Sequence, residues 1–468
     1  MPATAVPART DDDPTTLLIL GAGGDLTHRL LLPGLATLLT EQRDRRVRVV
    51  GADRAPLTPA EWIARVEDSF ATARAPKLVT RPISRHTAYV QADILDLDSL
   101  TSLIAGLGDG PLVIFFALPP AVTMACCELL AKVALPKVTR LALEKPFGTD
   151  LASARAFNRR LARVVPGDSI YRIDHFLGVN TVLNLIGLRF ANRLFQSVWS
   201  TEHIERVEII YDEALALEGR AGYYDRAGAL RDMIQSHLLQ VLAIFAMESV
   251  ASVAPIELQD QKAQVLRAVR LWDKDPAASA RRARYTAGRL GRHRIPSYVD
   301  EPGVDPDRNT ETLAQVTLQI ANNRWAGVPF ILRSGKAMAA PRKEIRVIFR
   351  DVAHLPVGFR GPSQLDSLVI GLKPGGVDLT LTMNAEGDPF DLEQKSLSAT
   401  LAAPRMYPYG EVLAQILDGS QLLTVRGDSA EDCWRIVAPV LKAFADETVP
   451  METYAAGTPG PEGWLPAP

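Results

Sequence analysis

The sequence predicts an α/β plus α+β protein, in which an N-terminal Rossmann-like doubly wound domain precedes a larger domain with a mostly antiparallel sheet. Three observations carry this reading. Residues 16–20 form a short apolar run that ends on glycines and leads into a leucine-spaced helical pattern. Further apolar runs alternate with helical patterns to about residue 176, as in a parallel sheet with crossover helices. Beyond that point strand patterns follow one another with few crossovers, which favours antiparallel pairing. The chain of 468 residues is too long for one core. Residues 1–14 read as a disordered tail, 15–176 as the first domain and 177–468 as the second.

Composition narrows the function. The formal net charge is -2 and the isoelectric point about 6.4. Charges of both signs are mixed along the chain, so no electrostatic footprint for nucleic acid or a membrane surface is expected. The three cysteines, two of them adjacent at Cys126 and Cys127, make neither a disulfide framework nor a metal site. They fit a reducing, cytoplasmic setting. The apolar run near 112–122 is interrupted by Pro119 and Pro120 and is too short to span a bilayer. The first fourteen residues lack the apolar stretch of a signal peptide.

The first strand runs into Gly21-Ala22-Gly23-Gly24-Asp25-Leu26, and a helical pattern with Leu30, Leu31, Leu35, Leu38 and Leu39 follows. Strand, glycine-rich turn and helix is the dinucleotide-binding context, in which glycines let the backbone approach a pyrophosphate at a helix N-terminus. Leu26 stands where a third glycine would complete the fingerprint, and a tight structural turn is the competing explanation. The second strand, 47–51, leads into Asp53 and Arg54. An acid at this place suits a free ribose 2′-hydroxyl and an arginine suits a 2′-phosphate. Both are present, so NADP and NAD stay open, and the gap from the glycines is about 30 residues against the usual roughly 20. Strands follow over 86–92 and 111–117, the latter ending at the rigid turn Leu118-Pro119-Pro120. A strand over 138–143 ends in Glu144-Lys145-Pro146-Phe147-Gly148. A lysine just past such a strand points into the ligand crevice; a solvated lysine before a turn is the alternative.

Two polar clusters stand out against apolar surroundings. Tyr171-Arg172-Ile173-Asp174-His175-Phe176 places an acid beside a histidine. Downstream, Arg231-Asp232-Met233-Ile234-Gln235-Ser236-His237 opens a helix that is apolar on nearly every side. Such a helix is buried, and buried polar groups need partners. A carboxylate that fixes an imidazole tautomer makes a general base. Either histidine alone reads better as a satisfied core residue; the two clusters together read as a site. In the second domain strands are expected over 206–211, 313–320, 344–350, 367–372 and 377–382, with helices near 181–196, 229–248 and 409–418. The arginine-rich stretch 281–294 reads as a solvated face or loop.

These segments together resemble the glucose-6-phosphate dehydrogenase family, nearly end to end. The resemblance rests on Gly21 to Leu26, Glu144 to Gly148, Arg172 to Gly178, Glu218-Gly219-Arg220 with Gly222-Tyr223-Tyr224-Asp225, Arg231 to Gln240, Gly327-Val328-Pro329-Phe330, Leu332 to Lys336, and the closing stretch from Tyr454. It implies NADP as hydride acceptor, with NAD as the alternative, a sugar phosphate as substrate, and a homodimer or homotetramer built on the second domain. It also implies that His237 is the base, Asp174 its orienting carboxylate, and Lys145 the lysine between cofactor and sugar. The cofactor set it implies is Gly21, Gly24, Asp25, Leu26, Arg54, Pro119 and Lys145. For the sugar phosphate it implies His175, Glu213, Asp232 and Lys336, with Arg342 as the cation next to Pro341, where the family usually has a basic residue.

The departures are specific. The family's His-Tyr-Leu-Gly-Lys-Glu is His175-Phe176-Leu177-Gly178-Val179-Asn180 here, so a hydroxyl and an ammonium are absent from the phosphate-binding stretch. His28 and Leu30 stand where lysines are common, and Asp53 adds a negative charge beside Arg54. Three readings follow: a glucose 6-phosphate oxidoreductase, a paralogue for a different or unphosphorylated sugar, and a catalytically silent regulatory or binding homologue. Intact Asp174, His237 and Lys145 argue against the last.

Overall fold

The computed structural model describes residues 14–361 and 365–464. The expected tail therefore lies outside the described residues except for Pro14. The chain separates into two compact units. One comprises the residues up to Gly178 together with Arg405–Val425; the other comprises Val179–Pro404 and the residues from Arg426 onward.

The first unit is built on six parallel strands: β1 (Thr15–Leu20), β2 (Val47–Asp53), β3 (Ala88–Gln91), β4 (Leu112–Phe116), β5 (Thr139–Glu144) and β6 (Ile170–Ile173), in the order β3-β2-β1-β4-β5-β6. This is the doubly wound order, with the reversal between β1 and β4 where such sheets bind ligands. Leu17, Leu18, Ile19 and Leu20 are fully buried because helices cover both faces of a parallel sheet. On one face the Leu32–Glu41 helix packs against the Pro408–Asp418 helix in a shared core with Tyr409, Val412, Leu413 and Leu417. The two cross closely at Gly34, where a Cβ would lie 2.6 Å from Tyr409. The helix expected near 409–418 thus belongs with the first unit, although sequence order placed it in the second. It packs over Gly34 and Thr37, where a Cβ on Gly410 would lie 2.7 Å from Thr37 Oγ1.

The second unit is organised around ten strands: β7 (Ile204–Asp212), β8 (Val269–Leu271), β9 (Ala280–Thr286), then after the small hairpin β10 (Gly288–Leu290) and β11 (His293–Ile295), β12 (Leu313–Ile320), β13 (Phe330–Gly335), β14 (Arg342–Phe349), β15 (Ser367–Leu372), β16 (Gly375–Asn384), β17 (Leu392–Thr400) and β18 (Met451–Ala455). The order is β17-β16-β15-β14-β7-β13-β12-β9-β18, with β8 beside β12. Only β7–β13 and β9–β18 are parallel among the described pairs.

Several expectations need correction. The basic stretch 281–294 is strand over most of its length; its second half is a solvated face as expected, but its first half is partly buried. Arg282 is buried because its Nε donates to the Val449 carbonyl at 2.9 Å and its guanidinium lies 5.0 Å from the Phe444 ring. Arg281 pairs with Glu452 through two nitrogens. The helix near 181–196 is two helices, Asn180–Phe190 and Arg193–Val198. The helix near 229–248 begins as a π-helix, Leu230–Leu238, before Leu239–Ala246 continues as an α-helix. The preceding Ala221–Ala229 helix is itself interrupted at Gly228, which has φ 67°. The Gly427–Ala445 helix and strands β17 and β18 carried no clear pattern in the sequence.

Candidate functional site

In the first unit, β1 ends on a turn that only glycine can make at its first position. Gly21 has φ +83°, and a Cβ there would lie 2.3 Å from the Ala117 carbonyl oxygen at the end of β4. Gly24 N–H donates to the Gly21 carbonyl, and Thr27 Oγ1 donates to the same oxygen. The helix starts at Asp25, and His28 N–H makes an early helical bond, to the Gly24 carbonyl. The first-turn N–H groups before it have no intrahelical acceptor, which is what an anion needs. Asp25 pairs with Arg29 on the exposed side, and Leu26 packs into the core. Leu26 therefore closes the helix onto the sheet from a position where a third glycine would otherwise permit close packing. Pro119 precedes the Pro120–Leu130 helix at the end of β4. Arg54 is exposed just past β2. The turn, the helix start and the strand ends fit a dinucleotide.

Lys145 and Asp174 follow β5 and β6, neighbouring strands whose ends lie side by side. Glu144, before Lys145, is half-buried at the end of β5. Burial pushes its carboxyl up to about 7, while a hydrogen bond from Tyr409 and the charge of Lys145 pull it down. Asp174 is buried, and its Oδ1 accepts from Phe176 N–H at 3.0 Å. His175 stacks on Tyr409 with ring centroids 6.0 Å apart and planes 14° from parallel. Tyr409 thus connects Glu144 and His175. It was not anticipated, because nothing local marks a tyrosine 234 residues from His175 as its neighbour; the one available signal was a hydroxyl on an otherwise apolar helix face.

In the second unit, three strand ends converge. Parallel pairing of β7 with β13 sets Asp212 opposite Gly335, so the next residues, Glu213 and Lys336, emerge together. Glu213 N–H donates to the Gly335 carbonyl, and Lys336 Nζ reaches Glu213 Oε2 at 2.8 Å. Antiparallel β14 begins with Arg342 opposite Asp212. Arg342 lies 3.8 Å from Asp212 and Lys343 lies 3.8 Å from Glu213, so Arg342 is turned to Asp212 rather than to Glu213. Lys336 also lies 4.9 Å from the Tyr224 ring.

The π-helix carries Asp232, whose Oδ1 accepts from Tyr223 Oη at 3.0 Å, and the buried His237. Helical π-turns are rare and frequent at functional sites. The start of this helix is held by Glu311, which sequence reasoning missed. Its Oε1 accepts from Leu230 N–H at 2.9 Å and its carbonyl accepts from Ala229 N–H. A Cβ at Gly228 would lie 2.4 Å from that carboxylate. Burial raises the Glu311 carboxyl above its usual range, and the Leu230 N–H opposes this. Thr312, next in sequence, bonds the Tyr454 hydroxyl, which donates to the Lys336 carbonyl at 2.6 Å. One short segment thereby fastens both the His237 helix and the Lys336 strand end.

Comparison with known proteins gives a consistent result. The chain matches the model of the glucose-6-phosphate dehydrogenase NAD binding domain over residues 18–184 and that of the glucose-6-phosphate dehydrogenase C-terminal domain over 186–465. It is 38% identical to glucose-6-phosphate 1-dehydrogenase of Gluconobacter oxydans over 96% of this chain and 95% of that one. It is 35% identical to the Rhizobium meliloti protein of the same name, again over 96% and 95%. Among solved structures it superposes on a glucose-6-phosphate dehydrogenase in complex with glucose-6-phosphate with a TM-score of 0.88, at 28% identity and with 98% and 97% of the two chains covered. For the enzyme of Mycobacterium avium the TM-score is 0.83, at 32% identity and 96% coverage of both.

Proposed function

Since this chain belongs to the glucose-6-phosphate dehydrogenase family, we propose that it oxidises the C1 hydroxyl of glucose 6-phosphate to 6-phosphogluconolactone with hydride transfer to NADP, at the entry to the pentose phosphate pathway. The observation that carries this reading is the convergence, in the second unit, of Glu213 and Lys336 on neighbouring strand ends. A paired carboxylate and ammonium at the mouth of a sheet suit a polyhydroxylated anion, the first accepting from hydroxyls and the second donating.

The residues divide the work as follows. The dinucleotide, seated on the Gly21–Leu26 turn, supplies the hydride acceptor. His237 removes the C1 hydroxyl proton as hydride leaves, and Asp174 fixes its tautomer and stabilises the imidazolium. Lys145 stands between cofactor and sugar. Glu213, Asp232 and Lys336 orient the sugar, and His175, with Arg342, contributes to the phosphate end. Asp25, Gly24, Pro119 and Arg54 complete the cofactor side, Arg54 at the 2′-phosphate. Residues 15–176, with the Arg405–Val425 segment that packs on them, are the proposed cofactor domain and the rest of 177–468 the proposed substrate and association domain, working in the cytoplasm. No helix of the described residues is long and apolar enough to cross a membrane.

Val179 favours a second reading, a related dehydrogenase for a sugar without a 6-phosphate. It stands at the N-cap of the Asn180–Phe190 helix, at the position where the family usually has a lysine. A panel of sugars and sugar phosphates with NADP and NAD separates the two readings: a marked preference for free glucose would remove the first. If the first holds, Val179→Lys lowers the KM for glucose 6-phosphate by about one to two orders of magnitude, taking ~1.5–3 kcal/mol for a charge-assisted contact and about 1.4 kcal/mol per tenfold. An unchanged KM would mean that another cation already binds the phosphate.

The association surface is proposed on β16 and β17. β17 ends the sheet and its residues 395–400 are exposed, with Leu397 at 54%. An unpaired outer strand invites pairing, and the reading is a homodimer or dimer of dimers. Light scattering at assay concentration is expected to give at least twice the mass of one chain; a monomer would refute it.

A further inference from the structure

Asp53 closes β2, and its side chain turns back onto the glycine turn. Oδ2 accepts from Gly23 N–H at 3.0 Å, and Oδ1 lies 3.4 Å from Ala55 N–H. The carboxylate fits because residue 23 has no side chain: a Cβ there would stand 2.9 Å from Oδ2. Arg65, from the Pro59–Thr72 helix, donates to the Ala22 and Gly23 carbonyls at 3.3 and 2.6 Å, so its cation is committed to holding the turn. Arg54 is exposed beside Asp53, and its backbone carbonyl accepts from Gln91 Nε2. The end of β2 thus presents an anchored carboxylate and an exposed guanidinium at successive positions, where a bound dinucleotide places the adenosine ribose. The anchoring decides how they act. A carboxylate held by a backbone N–H stays put, accepts from a 2′-hydroxyl, and repels a 2′-phosphate dianion; Arg54 on its flexible stem can attract that phosphate.

We infer that Asp53, seated against Gly23, is the residue that sets cofactor choice, and that it admits the unphosphorylated dinucleotide NAD alongside NADP. The inference rests on the dinucleotide role of the first unit proposed above, but its test requires no sugar and no turnover. Equilibrium binding of NAD and of NADP to the full chain is measured by titration calorimetry, with thermal melting to verify folding. Wild type binds both, with dissociation constants within about tenfold of each other. Asp53→Asn keeps the size and an acceptor for Gly23 N–H but removes the charge. It shifts the ratio of the two constants toward NADP by about ten- to a hundredfold, the worth of a charge-assisted contact. Gly23→Ser, which pushes the carboxylate off its seat, shifts the ratio in the same direction. Arg54→Ala weakens NADP and leaves NAD nearly unchanged. If wild type binds NADP but not NAD, or if Asp53→Asn changes both constants alike, the inference is overturned. A shifted ratio in a protein that oxidises no tested sugar phosphate would keep this inference and refute the proposed reaction instead.

Discussion

Replacing His237 with alanine or asparagine lowers kcat by a factor of ~10²–10⁴, the usual contribution of a positioned general base, and leaves the fold intact. His237 sits within a π-helix whose first turn is held by Glu311 and whose continuation, Leu239–Ala246, is wholly buried. That support does not depend on the imidazole, so the change falls on the chemistry. The KM for NADP is expected to stay near its starting value, because His237 is not among the proposed cofactor residues. Turnover within a factor of about three of wild type, well short of the range for a lost base, would make His237 a structural residue and undo the assignment.

Asp212→Ala is expected to cost ~3–5 kcal/mol of stability, the usual penalty for stripping one partner from a buried ion pair. Arg333 and Asp212 are 1% and 2% exposed, with Nε 3.1 Å from Oδ2. Arg333 Nη2 also donates to the Pro459 carbonyl at 2.7 Å, which ties the closing segment to the sheet. Alanine at 212 takes from that buried guanidinium the carboxylate 3.1 Å from its Nε. Thermal melting should fall by about 6–20 °C, at ~2–4 °C per kcal/mol for a unit of this size. The double change Asp212→Leu with Arg333→Met should recover much of the loss, since a well-packed apolar pair can replace a buried ion pair at little cost. A single variant that melts within about 2 °C of wild type, equivalent to less than ~1 kcal/mol, would show that the pair contributes little.

The local parts of this architecture were legible. The β1 run, the glycine turn, and the strands at Leu313–Ile320 and Ser367–Leu372 are carried by residues a few positions apart, and they stand where pattern places them. What pattern missed depends on partners distant in sequence. The break at Gly228 exists because the Glu311 carboxylate occupies the space a side chain would need. The arginines of β9 look solvated until Val449, Phe444 and Glu452 are brought to them by β18 and the helix before it. The candidate site divides in the same way. The types of His237, Asp174, Lys145, Glu213 and Lys336 were readable from their motifs. The supports beneath them, Glu311, Thr312, Tyr454 and Tyr409, were not, because a hydrogen bond between remote segments leaves no periodic trace.

The interrupted make-up of the first unit bears on how the protein is made. Its sheet is complete by Ile173, yet the face of the Leu32–Glu41 helix at Gly34 and Thr37 is covered by the Pro408–Asp418 helix. On a ribosome adding about 5–20 residues per second, the roughly 230 residues between Gly178 and Arg405 take about 10–45 s. Throughout that interval the helix face at Gly34 and Thr37 lacks this cover. The nascent chain therefore carries a nearly finished nucleotide-type sheet with one raw apolar side, a natural client for a chaperone. A fragment stopped near Gly178 inherits the same defect permanently. Arg45 loses its ion-pair partner Asp418, Arg140 loses the Leu417 carbonyl, and the fragment should aggregate although every strand of its sheet is present.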